Sequence, residues 1–87
     1  MTVNQTGNSN ISKVDNHGQD NTITMNVTGN SNYAFNEIGN GGDTDNTITT
    51  TINGDSNNVI AEVQNGDSNT IDVQVQSQDN NLSLIHI

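Results

Sequence analysis

The sequence predicts an all-β chain folded as a β-solenoid, with two short strands per rung of about 22 residues and two facing parallel sheets. Three observations predict it. A polar corner of the form G-x-x-N recurs along the 87 residues, apolar and polar side chains alternate after each corner, and the acidic residues avoid the apolar phase.

The corner comes first, because a fixed internal period decides how everything else is read. "TGNSN" occupies residues 6–10 and recurs at 28–32, and "NGDSN" occupies 53–57 and 65–69. Alignment on the closing asparagine gives Asn10, Asn21, Asn32, Asn46, Asn57, Asn69 and Asn80, with gaps of 11, 11, 14, 11, 12 and 11 residues. Glycine stands three places earlier at Gly7, Gly18, Gly29, Gly54 and Gly66. The fourth corner has Asp43 there, just after Gly42, and the last has Ser77. Glycine supplies the backbone freedom of a tight turn, and Asn or Asp tolerates the neighbouring conformations.

About seven strand residues follow each corner. Residues two, four and six beyond the asparagine share one face, since strand side chains alternate. The clean strands place Ile23, Met25 and Val27, then Ile48, Thr50 and Ile52, then Ile71, Val73 and Val75 on that face. Val59, Ala61 and Val63 continue it, as do Ala34, Asn36 and Ile38. The first strand, with Ser12, Val14 and Asn16, is weaker, and the last reads Leu82, Leu84, His86. Sixteen of these twenty-one positions are apolar, against five of twenty-one at the intervening ones, which is a strong period of two. The expected core is therefore Ile23, Met25, Val27, Ile48, Ile52, Val59, Val63, Ile71, Val73 and Val75. Asp15, Glu37, Glu62 and Asp72 fall on the outward phase and the other six acids in turns. Burial of an unpaired carboxylate is costly, so this segregation marks a real inside and outside.

One seven-residue strand and its turn cannot bury an apolar face alone. Seven half-repeats folded back and forth can, if units two apart stack at a step of roughly 4.8 Å. Stacking sets Asn10, Asn32, Asn57 and Asn80 in one column and Asn21, Asn46 and Asn69 in the other. Inward asparagines so placed are expected to form amide ladders along the axis. Residues 1–81 make the single repeat domain. The segment LSLIHI, 82–87, reads like a translated sequencing-adapter end and is expected to be a non-native extension, although Leu82 and Leu84 keep the inward phase.

Composition narrows the function. Apolar residues are only 28% and aromatics 2%, too few for a conventional core. The absence of proline and the abundance of Thr, Ile and Val favour strands over disorder. A net charge of −9 with Lys13 as the single basic residue argues against a nucleic-acid partner and against an anionic membrane surface. No apolar run is long enough to span a bilayer and no export signal is evident. Without cysteine there is neither a disulfide framework nor thiolate chemistry.

Catalytic and cofactor chemistry has little to stand on. His17 lies in a turn and His86 near the end, neither with a partner at ligand or catalytic spacing. No catalytic residue, metal ligand or cofactor is assigned. The long turn at 39–46 has oxygen ligands suited to calcium, but its glycine–aspartate pattern occurs once, and a loop insertion explains it better. Tyr33, Phe35 and Ile60 form a small outward apolar stripe, read as a cross-strand cluster or a lateral contact. The other outward face carries Thr22 and Thr24, then Thr47, Thr49 and Thr51, then Thr70 and Asp72. Such Thr-x-Thr columns resemble the flat face of solenoid ice-binding proteins, while β-propensity alone also favours threonine there.

Residues 5–10, QTGNSN, and 64–69, QNGDSN, both read Q-x-G-x-x-N. This resembles the curlin repeat, the unit of the curli fibre subunit, in which Q-x-G-x-x-N-x-A recurs with further spaced glutamines. Asn32-Tyr33-Ala34 supplies the N-x-A once. Gln5 and Gln64 are the motif glutamines, whereas Asn16, Val27, Ile52 and Val75 stand at that place in other units. The resemblance implies a secreted, cell-surface amyloid subunit that serves biofilm and adhesion. Its partners would be further copies of itself, stacked end to end into fibrils. No proline, helix or lysine guards the last strands, which agrees with such stacking. A soluble ice-binding solenoid is the alternative.

Overall fold

A computed structural model of the chain describes residues 1–39 and 42–86, with the side chains of residues 85 and 86 outside the described set. The described strands are β1 (Thr2–Thr6), β2 (Ile11–Asn16), β3 (Thr22–Thr28), β4 (Tyr33–Ile38), β5 (Thr47–Asn53), β6 (Asn58–Val63), β7 (Thr70–Val75) and β8 (Asn81–His86). They form two four-stranded sheets, ordered β1-β3-β5-β7 and β2-β4-β6-β8, in which every pairing is parallel. Consecutive strands thus belong to opposite sheets, and the chain is a β-solenoid of about four turns with roughly 23 residues per turn.

The turn count corrects the sequence reading of seven half-repeats. An eighth strand, β1, precedes the first corner, and Val3 and Gln5 pair in register with Met25 and Val27. It carries a single apolar inward residue and no corner before it, so neither the corner nor the alternation announces it.

Register is held across the irregular spacing. The three extra residues of the fourth unit are absorbed within the turn at 39–46, and Thr22 still pairs with Thr47 and Ile23 with Ile48. Asn40 and Gly41 of that turn lie outside the described residues. The segment set apart as an extension enters the second sheet, where Leu82 pairs with Val59 and packs against the core.

The core lies between the sheets. Ile23, Met25, Val27, Ile48, Ile52, Val59, Val63, Val73 and Val75 are buried, as are Ala34, Ile38 and Ala61. Ile71 is only half-buried and packs against this cluster beside Val14 and Leu82. The half-buried members belong to the first and last turns, which have a neighbour on one side only. Val3 and Leu84, inward in phase, remain 43% and 38% exposed for the same reason.

The corners share one backbone feature. The residue just before the asparagine is left-handed at Ser9, Asp20, Ser31, Asp45, Ser56, Ser68 and Asp79, with φ between 54° and 58°. That region costs an L-residue about 1–2 kcal/mol, least for Asn and Asp, so packing must hold the serines there. Glycine serves a second purpose. At Gly29, φ is +125°, and a Cβ would overlap the carbonyl oxygen of Gly54 in the next turn.

Candidate functional site

The stacked corners are the most ordered polar feature. In the first column Asn32 donates to Asn10 Oδ1 from its backbone nitrogen at 3.0 Å and from Nδ2 at 3.1 Å. Asn57 does the same to Asn32, and Asn80 to Asn57, at identical distances. In the second column the Asn46 backbone N–H donates to Asn21 Oδ1 at 2.8 Å, and Asn69 donates twice to Asn46 Oδ1. Several Nδ2 groups also reach onward, from Asn10 to the Gly29 carbonyl, Asn32 to Gly54, and Asn57 to Ser77. Asn21 and Asn46 likewise donate to the carbonyls of Asp43 and Gly66. Asn32, Asn46 and Asn57 are almost wholly buried, so these bonds satisfy groups that water does not reach.

The bonds between asparagines have a direction: the donor lies in the later turn and the accepting Oδ1 in the earlier one. Extended by one step, the series has Asn80 Oδ1 as its next acceptor and the Asn10 backbone N–H as the donor of its opposite end. An open recess of roughly 290 Å³ lies at the last turn, lined by Gln74, Val75, Gln76, Ser77, Asn80, Asn81 and Leu82.

A further set of side chains runs beside the ladders in the opposite sense. At three corners the side chain two residues before the asparagine caps a backbone N–H of the preceding turn. Asn30 Oδ1 accepts from Asn8 N, Asp55 Oδ1 from Asn30 N at 2.7 Å, and Asp67 Oδ1 from Thr44 N at 2.8 Å. The signal was present, since Asn8, Gln19, Asn30, Thr44, Asp55, Asp67 and Gln78 are all polar. Asp43 departs from the expectation that acids stay at the surface. It lies in a turn but is only 5% exposed, and its Oδ1 accepts from the Gly66 backbone N–H.

The two motif glutamines behave differently. Gln5 turns into the first rung, where Nε2 donates to the Asn10 carbonyl and Oε1 accepts from the Ser12 hydroxyl at 2.7 Å. Gln64 instead donates to Glu62 Oε1. One inward polar pair crosses the core: the Thr50 hydroxyl donates to Asn36 Oδ1 at 2.9 Å, and Asn36 Nδ2, fully buried, has no hydrogen-bond partner among the described residues.

The outer faces differ in charge. On the β1-β3-β5-β7 sheet one row reads Thr2, Thr24, Thr49, Asp72, and its neighbour reads Thr22, Thr47, Thr70. A third row holds Asn4, Asn26, Thr51 and Gln74, with Asn4 Nδ2 donating to Asn26 Oδ1 at 2.8 Å. Asp72 is the one charge among these rows. On the other sheet Asp15, Glu37 and Glu62 stand in register, so like charges lie about one strand spacing apart. Beside them Lys13 sits 5.1 Å from the Phe35 ring centre, and Phe35 pairs with Ile60.

His17 Nε2 lies 2.9 Å from Asp15 Oδ1 with both side chains exposed, and the side chain of His86 is outside the described residues. Among the described residues no three His, Cys, Asp or Glu side chains are grouped as metal ligands, and no helix is long and apolar enough to cross a membrane.

No family model matches the chain, and no curated protein or solved structure matches it. The class that the fold defines is an all-β parallel solenoid with asparagine-laddered corners.

Proposed function

We propose that this chain is the self-assembling structural subunit of an extracellular fibre, in which turns continue from one copy to the next. The observation that carries this reading is the common direction of the two asparagine ladders. A donor-led first turn and an acceptor-led last turn complement each other head to tail, and such a contact is heterologous and does not close. Continuation of the register places Asn10 of one copy on Asn80 of another. Gln5 then falls on Val75, beside the recess at the last turn. The exposed inward residues Val3 and Leu84 support the same contact, since a further turn would bury them.

The role is structural rather than catalytic. Secretion, biofilm matrix and adhesion follow from the resemblance to curlin repeats carried by residues 5–10 and 64–69. Electron microscopy and fibre diffraction of the purified chain test the reading. Unbranched filaments with a meridional reflection near 4.7–4.8 Å are expected. A chain that stays monomeric at high concentration would refute it.

A second reading has its own observation, the in-register threonine rows on the β1-β3-β5-β7 sheet. Regular hydroxyls and methyls on a flat face suit an ice plane. Monomer that shapes ice crystals and lowers the freezing point beyond its colligative effect would favour it.

A further inference from the structure

We infer that the threonine-rich outer face of the β1-β3-β5-β7 sheet is a lateral docking surface for a second filament of the same chain. This rests on the fibre reading and adds to it a side-to-side contact distinct from end-to-end growth.

Charge selects the face. A chain of net charge −9 meets its own copy favourably only where carboxylates are not brought together. The opposite sheet presents the Asp15–Glu37–Glu62 row, so two such faces would oppose like charges. On the threonine face only Asp72 is charged. A twofold axis parallel to the strands sets β7 of one copy against β1 of the other. Asp72 then meets the position held by Thr2, and Thr24 meets that of Thr49, so no two acids face each other. The strand repeat is the same on both partners, which makes the face self-complementary.

Area selects the occupant. Four strands spaced about 4.8 Å apart and about 20 Å long present roughly 400 Å² per copy. A stable contact between two free proteins needs about 800 Å² from each partner. Two isolated copies therefore do not hold together through this face, whereas two filaments sum the contact over many subunits. Pairing is a property of filaments, not of monomers.

Filament width is the readout. Thr49→Glu adds a carboxylate to the threonine face, and Asn58→Glu adds one to the other face at equal net charge. Wild type and N58E are expected to give filaments two solenoids thick, and T49E filaments one solenoid thick with unchanged axial spacing. T24E serves as the second variant should T49E fail to show strand circular dichroism. Single-width wild-type filaments would overturn the lateral contact and leave the fibre reading intact. Absence of any wild-type filament would overturn both. Ice shaping by wild type that T49E loses, with no paired filaments, would assign the face to ice instead.

Discussion

Asn57 donates to the same amide oxygen of Asn32 twice, from its backbone N–H at 3.0 Å and its side chain at 3.1 Å, and both residues are 1% exposed. Asn57 also accepts from Asn80 and donates to the Ser77 carbonyl, so its side chain ties three successive turns. Asn57→Ala would leave several buried groups unpaired, each at about 1–3 kcal/mol. We expect a loss of about 2–4 kcal/mol in urea unfolding. Asn10→Ala, at the half-buried first corner, should cost about 1 kcal/mol.

The Thr50–Asn36 pair makes the opposite prediction. Thr50→Val strips the only partner shown for Asn36 and should destabilise by about 1–3 kcal/mol. The double variant Asn36→Val with Thr50→Val exchanges both polar groups for apolar ones of similar size and should be near neutral. A double-mutant cycle on unfolding free energy reads the coupling, and additive single effects would argue against the pair.

Gly29 and Gly42 separate two uses of glycine. Gly29→Ala forces a Cβ into the Gly54 carbonyl at φ +125° and should cost well over 1 kcal/mol. Gly42→Ala meets no atom within 4 Å and should change stability by no more than about 0.5 kcal/mol. Thermal melts of the two variants compare them directly.

Assembly kinetics should follow the net charge of −9. Stacked turns bring the Asp15–Glu37–Glu62 row of successive copies onto one face. Salt screens that repulsion, with a Debye length falling from about 30 Å at 0.01 M to about 8 Å at 0.15 M. Assembly should therefore quicken with added salt. Light-scattering lag times that ignore salt would contradict this.

Much of this architecture was legible because strands impose a period of two and corners impose a fixed offset. Ile23, Ile48 and Ile71 share a column for that reason, and so do Asn32 and Asn57. What escaped has physical causes. β1 lacks a preceding corner, and Gln5 fills an inward place with a polar side chain that finds partners within the first rung. Four of the left-handed residues are Ser, which does not announce a positive φ by its identity as Gly or Asp does. Burial of Asp43 depends on the Gly66 N–H supplied by the next turn, a contact between residues 23 positions apart. The direction of the ladders is a property of amide orientation, which composition does not carry.

Helical reconstruction of the filaments tests the head-to-tail claim most directly. Four turns per subunit predict an axial rise near 19 Å per copy, with Asn10 of each subunit stacked on Asn80 of its neighbour. Filaments whose subunits meet head to head, or whose junction interrupts the asparagine column, would contradict it.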